Sequence, residues 1–166
     1  LRKTIKKRLM LFIYRILINL VLILSPIIIL FRLIKKKEHP TRFLEKLGIS
    51  SKKRMNGKVI WFHGSSVGEV LSIMPLIEKL EKNPKIKQIV ITSSTLSSSK
   101  VLEKYKLNKT VHQFFPIDAN LIIKKFLNYW KPSAVFFVES EIWPNTILNL
   151  YKRNIKIVLL NARITN

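Results

Sequence analysis

The chain has no cysteine in its 166 residues, which excludes disulfides, thiol nucleophiles and thiolate metal sites and fits a reducing compartment. Its three histidines, His39, His63 and His112, do not stand at metal-ligand spacing, so neither a zinc site nor a cofactor is expected. Glycine is scarce, with four in the chain, and the glycines form neither a P-loop nor a dinucleotide-binding fingerprint. Acidic residues number nine against 31 Lys and Arg, and residues 1–37 hold ten basic groups and no acid. Such an imbalance favours anionic partners, whether nucleic acid, lipid head groups or a phosphorylated substrate, without choosing among them. The abundance of Lys, Ile and Asn also fits genome composition bias, which lowers the weight of the basic excess.

What is present begins with a long apolar run. Leu9 to Phe31 is interrupted only by Tyr14, Arg15, Asn19, Ser25 and Pro26, near the length that crosses a hydrocarbon core. No small-x-small cleavage site follows it, and Arg32, Lys35, Lys36 and Lys37 come directly after, so it reads as a membrane segment rather than a signal peptide. Both flanks are basic, so the charge rule sets no orientation. Two readings stay open: a helix lying in the inner leaflet with both ends cytoplasmic, bent at Pro26 and with Arg15 snorkelling to the head groups, or a single span.

Residues 38–57 read as a juxtamembrane linker. Within it a helix start at His39-Pro40-Thr41 leads into a short helix, Arg42 to Leu47, stopped by Gly48, and Lys52-Lys53-Arg54 reads as a solvated basic loop, with contact to anionic lipid as the less common alternative. From residue 58 the pattern alternates. Apolar runs of strand length at 59–62, 89–91, 111–115, 134–138 and 157–160 are separated by segments of helical period. The first helix presents Val70, Ile73, Met74, Ile77 and Leu80 on one face, and Pro75 predicts a bent or loosely attached opening turn. The third is expected to bury a stripe through Leu121, Ile122, Lys125, Phe126 and Tyr129. Strand and helix in this order predict right-handed crossovers and a parallel, Rossmann-like α/β sheet over 58–166. The length allows one such domain plus a terminal appendage. The chain stops after Asn161-Ala162-Arg163-Ile164-Thr165-Asn166, where another helix would ordinarily follow, and starts on Leu1, so a fragment is expected.

Three stretches carry candidate chemistry. Val59 to His63 runs into Gly64-Ser65-Ser66-Val67-Gly68-Glu69, which predicts a strand, a tight small-residue turn and a helix opening on a carboxylate at the sheet's ligand-binding edge. Glu69 has two readings from spacing alone, a helix-capping acid or a catalytic base, and Ser65, Ser66 and Gly68 add backbone donors beside it. The second stretch is Glu139-Ser140-Glu141-Ile142-Trp143-Pro144-Asn145. Continued strand alternation would point Glu139 and Glu141 the same way, and two like charges together need a cation or hydrogen bonds to offset them. Trp143 and Pro144 read as shaping the turn and starting a helix. Elsewhere, Ser93 to Ser99 reads as a turn capping the second helix, Asp118 as an N-cap, and His63 as a hydrogen-bonding group that orders its loop.

Together with Asn161-Ala162-Arg163 and the apolar N-terminus, the Ser66-Val67-Gly68-Glu69 and Glu139-to-Asn145 motifs resemble the 3-deoxy-D-manno-octulosonic acid (Kdo) transferase family. Gly64 departs from the Ala or Ser often found there, and Ser140 from the common Thr. The resemblance implies a GT-B glycosyltransferase of which this chain is the N-terminal, acceptor-binding half, preceded by its membrane helix over residues 1–37. It implies an inverting, metal-free transfer of Kdo from CMP-Kdo to lipid A precursor at the cytoplasmic face of the inner membrane. Carried onto this sequence, Glu69 would be the general base and Glu139 a second essential carboxylate, with Ser66, Gly68, Glu141, Asn161 and Arg163 as substrate-binding residues. The family's donor binds mainly to a C-terminal domain, so the chain alone is expected to be inactive. A non-catalytic, membrane-tethered module for anionic lipid is the competing reading. A nucleic-acid binder is not expected, because no aromatic stacking platform or recognition helix accompanies the charge.

Overall fold

A computed structural model describes residues 2–139 and 143–160. All five expected strands form: β1 (Val59–His63), β2 (Gln88–Ser93), β3 (Thr110–Phe114), β4 (Ala134–Val138) and β5 (Lys156–Leu160). They pair in parallel in the order β3-β2-β1-β4-β5, with His63 opposite both Thr92 and Phe137. The near-continuous Val, Ile and Phe content of the central strands follows from burial on both faces, whereas the edge strand β5 leaves Val158 and Leu159 exposed. On one face Ile60, Phe62, Ile89 and Ile91 pack with α2 (Val67–Glu81) and α3 (Leu96–Leu102). On the other, Trp61, Val90 and Val135 pack with α4 (Asn120–Trp130) and α5 (Pro144–Lys152).

Helix α2 buries Val70, Ile73, Met74 and Ile77 as its period predicts, each worth about 1.5–3 kcal/mol against exposure. It continues through Pro75, and hydrogen bonds from Ser65 and Ser66 hold its opening turn, which is not loosely attached. The expected stripe on α4 needs correction. Leu121 is 74% exposed and Tyr129 39%, the latter covered by the 52–54 loop rather than the core, while Ile122, Ile123, Phe126, Leu127 and Trp130 are buried. The helix is turned so that the bulkiest residue, Trp130, enters the core, where its indole N–H donates to Gln113 Oε1 at 2.8 Å. That rotation sends Leu121, Lys125 and Tyr129, one i, i+4 row, outward.

The 3-10 helix Phe43–Leu47 ends on Gly48, whose φ of 73° is the left-handed stop expected there. It is sewn to β3. Arg42 grips Glu45 with two bonds of 3.0 Å, and the buried Glu45 accepts the Phe114 N–H at 2.8 Å. The same guanidinium donates to Ser99 Oγ, to His112 carbonyl and to His112 Nδ1, at 3.1, 2.8 and 2.9 Å. The Lys52-Lys53-Arg54 loop is likewise attached: the Lys52 and Lys53 carbonyls accept from Tyr129 and Gln88, and Arg54 Nε donates to the Trp130 carbonyl.

The N-terminal helix α1 (Arg2–Ile34) contains Pro26 within its length. Arg15 does not snorkel to head groups. Its Nε donates to Asn145 Oδ1 at 3.0 Å, because a partner on the folded domain is within reach.

His112 sits between a cation and a hydroxyl. Nδ1 faces Arg42, so it must accept, and Nε2 then donates to Ser93 Oγ at 2.8 Å, which makes the ring neutral. Burial, and secondarily the Arg42 charge, push its pKa down to about 3. In the unfolded chain the ring takes a proton near pH 6.5, so the folded state loses stability as pH falls from 6.5 towards 3. Urea titrations are expected to show a slope of at most about 1.4 kcal/mol per pH unit from this group, flattened by His112→Gln between pH 6.5 and 5.

Candidate active site

Strands β1, β2 and β3 run to one side of the sheet, and β4 returns to pair with β1 on the other. The chain therefore changes direction between β1 and β4. Parallel sheets of this kind bind ligands outside the carboxyl ends of the two strands at such a reversal. Glu69 follows β1 and Glu139 follows β4, so the topology brings the two candidate carboxylates to the same end of adjacent strands.

The β1 loop is closed tightly. Gly64 N–H donates to the Thr92 carbonyl, and a Cβ at Gly64 would stand 3.2 Å from Glu69 Cβ and 3.3 Å from Val70 N. This close approach seats Glu69 beneath the turn. Ser66 is the N-cap of α2, its Oγ accepting from Glu69 N–H at 3.3 Å. The Glu69 carboxylate returns over the loop. Oε2 accepts the Ser65 N–H and Oε1 the Ser66 hydroxyl, both at 2.8 Å. Glu69 is thus a capping acid in its local geometry, and the two bonds hold its carboxylate in one orientation. Each oxygen keeps a lone pair that could accept from a ligand hydroxyl. A Cβ at Gly68 would meet nothing within 4 Å, so packing does not demand a glycine there.

At the end of β4 the expected alternation fails. The strand stops at Val138, and Glu139 adopts a left-handed backbone with φ of 59°. Its N–H donates to the Leu160 carbonyl at 2.8 Å, which ends the ladder, and its side chain is exposed. A non-glycine residue pays roughly 1–2 kcal/mol for that conformation. Ser140, Glu141, Asn161 and Arg163 lie outside the described residues. Beyond them Pro144 opens α5 at its first position, as expected, and Trp143 packs on Phe115 with ring centroids 5.1 Å apart.

Asp118 does cap a helix, but not the one it precedes. Ala119 occupies the N-cap position of α4. The Asp118 carboxylate, 1% exposed, instead takes the N–H groups of Asn145 and Thr146 at the start of α5, at 2.9 and 2.7 Å. It also accepts the Thr146 hydroxyl at 2.6 Å and the Tyr14 hydroxyl at 2.7 Å. Local spacing had no means of revealing a cap supplied across 27 residues, although Pro144 followed by Asn145 and Thr146 did mark a helix start lacking a conventional cap. His63 is buried against Phe115 at 4.0 Å between ring centroids, and its Nδ1 lies 3.0 Å from Thr92 Oγ1. Thr95 caps α3, accepting from Ser98 N–H, within the Ser/Thr-rich turn expected to do so. Beside this edge, Ile18, Val21, Phe115, Ile117 and Trp143 line an apolar crevice of about 230 Å³.

Residues 41–166 match the profile of the 3-deoxy-D-manno-octulosonic-acid transferase (kdotransferase) family. The chain belongs to that family. It is 36% identical over 157 residues to the probable 3-deoxy-D-manno-octulosonic acid transferase, mitochondrial, of Arabidopsis thaliana, covering 93% of this chain and 35% of that protein. It is 36% identical over 140 residues to the 3-deoxy-D-manno-octulosonic acid transferase of Rickettsia bellii, covering 84% and 33%. With the enzyme of that name from Haemophilus influenzae it shares 30% identity over 151 residues, covering 89% and 35%. The chain therefore spans about a third of the length of these relatives.

The two caps differ in what their removal exposes. Ser66→Ala is expected to cost about 1 kcal/mol in urea unfolding, the usual value of a partly solvated N-cap. Asp118→Ala strands several buried donors at once and is expected to cost more, roughly 2–4 kcal/mol.

Proposed function

We propose that this Kdo transferase family chain forms the acceptor-binding part of an enzyme that moves Kdo from CMP-Kdo to lipid A precursor, in the lipopolysaccharide pathway at the cytoplasmic face of the inner membrane. The observation that carries the reading is Glu69: a carboxylate held by Ser65 N–H and Ser66 hydroxyl just past the carboxyl end of β1, the strand that neighbours β4. In the proposed step Glu69 takes the proton from a sugar hydroxyl of the acceptor. The freed oxygen bonds to the anomeric carbon of Kdo with inversion, and the bond from that carbon to the CMP phosphate breaks, its electron pair leaving with CMP. A base fixed before substrate arrives avoids reorganisation during reaction.

Glu139 is proposed as the second essential carboxylate. Its left-handed backbone supports that role, since strain of this kind is commonly retained where it positions a functional group. Ser66 and Gly68, with Glu141, Asn161 and Arg163, are proposed to contact substrate. The open space above Gly68 supports close approach of a ligand to the start of α2. The apolar crevice beside the edge and the basic surface suit an acceptor that is both acylated and phosphorylated. Because the chain spans about a third of its relatives, donor binding and turnover are assigned to the longer protein.

In a full-length enzyme carrying this region, Glu69→Gln keeps one acceptor oxygen for the Ser65 N–H and presents its amide NH2 to the Ser66 hydroxyl, which accepts in place of donating, so the loop stays tied while the base is removed. It is expected to lower kcat by about 100-fold or more, with little change in thermal midpoint; undiminished turnover would remove Glu69 from the mechanism. The 166-residue chain alone is expected to transfer no Kdo from CMP-Kdo, and measured transfer would overturn the assignment of donor binding to the longer protein.

A further inference from the structure

Helix α1 is long and apolar enough over Arg8–Ile34 to cross a bilayer, yet from Tyr14 to Arg32 one of its faces is turned to the rest of the chain. Tyr14, Ile18, Leu22, Ser25, Ile29 and Arg32 form one row at intervals of three and four, and each is at least partly covered. Several members of this row have partners beyond the helix or are covered by the chain that follows it. Tyr14 bonds to Asp118, Ile18 lines the crevice with Phe115 and Trp143, Ser25 and Ile29 are 4% and 8% exposed, and Arg32 pairs with Glu38 at 3.0 Å. From Tyr14 to Arg32 the helix advances about 27 Å, nearly the full thickness of a hydrocarbon core.

A helix attached in this way cannot thread a bilayer without carrying the domain's polar surface in with it. Asp118, Asn145, Glu38 and Lys46 would then enter hydrocarbon, at a cost of several kcal/mol per charge. The opposite face of the helix has no partner on the domain: Ile23, Ile27 and Ile34 are 73%, 68% and 72% exposed. Basic residues stand at both ends of this face, at Arg8 and at Lys35 to Lys37.

We infer that α1 is a monotopic membrane element, docked lengthwise on the domain and immersed by its outer face in one leaflet of anionic phospholipid, with both ends on the same side of the bilayer. The partner is lipid rather than a second protein because a continuous aliphatic surface ends in cations at both extremities, the arrangement that suits acyl chains below and phosphates beside them. Ile18 of the inward row, with Val21 beside it, shares a crevice with Ser94, Phe115, Ile117 and Trp143, all of which follow strand ends. The catalytic edge of the sheet therefore sits at the lipid surface. Tyr14 and Arg15, two of the polar breaks in the apolar run, act as the pins: one on the carboxylate that caps α5, the other on Asn145 in its first turn. Topology is independent of turnover, so failure of this inference would leave the Kdo-transfer reading intact.

The absence of cysteine makes the chain a clean background for labelling. Arg8→Cys and Lys36→Cys, at exposed positions near the two ends, are to be produced in the full chain in sealed inner-membrane vesicles of both orientations and treated with a membrane-impermeant maleimide. Equal labelling of both sites from the same side is expected; labelling of one site only after detergent would overturn the inference in favour of a span. In the same membranes, a bimane label at Ile23→Cys is expected to be quenched several-fold more by brominated phospholipid than one at Ser25→Cys. Equal quenching of the two would overturn the lengthwise docking. Disulfide cross-linking between Ile23→Cys chains that persists on lipid dilution, without quenching, would identify a second copy as the occupant and overturn the assignment to lipid.

Discussion

The carboxylate of Asp118 is the point on which three separate segments converge. It is buried, and a buried carboxylate is tolerable only when its lone pairs are filled. The donors come from the first turn of α5, through Asn145 N–H, Thr146 N–H and the Thr146 hydroxyl, and from α1, through Tyr14. The positive end of a helix dipole and the negative charge stabilise each other. One side chain on the loop after β3 thereby sets the start of α5, and with it the return of the chain from the β4 turn that bears Glu139. The same group receives the N-terminal helix.

A second constraint comes from parallel pairing. Strands joined by right-handed crossovers all discharge their loops at one end, and the reversal of order between β1 and β4 leaves those two loops with no helix crossing between them. Glu69 and Glu139 are far apart in sequence and neighbours in topology for that reason alone. The two are held differently. Glu69 is tied by hydrogen bonds inside its own loop, while Glu139 is set by a left-handed backbone and a bond to the end of β5.

Much of this architecture was legible in the residues. The strands could be read because a parallel sheet covered on both sides requires unbroken apolar runs, and these stand out against a basic chain. The turn from His63 to Glu69 was legible because Gly64, Ser65 and Ser66 are short-range signals, and the bonds that seat Glu69 lie within five residues, although Gly64 also bonds to Thr92 on β2. Helix α4 was misjudged where both possible stripes were apolar and the size of Trp130 decided the rotation. At Glu139 the extrapolated alternation gave way because the ladder ends on Leu160, a partner that periodicity does not register. Arg15 was assigned to lipid because its partner, Asn145, lies 130 positions away.

The amino-acid sequence by itself determined the element order, the parallel α/β class, the family motifs and the existence of a long apolar N-terminal helix. These depend on local period, residue size and short-range turn chemistry, all of which act between near neighbours in the chain. Tertiary structure alone decided which face of α4 is buried, which helix Asp118 caps, how Glu139 is turned, and that α1 lies along the domain rather than away from it. Each of those outcomes is a competition for buried hydrogen-bond partners and core volume among residues distant in sequence, and such a competition is resolved only when the chain is folded.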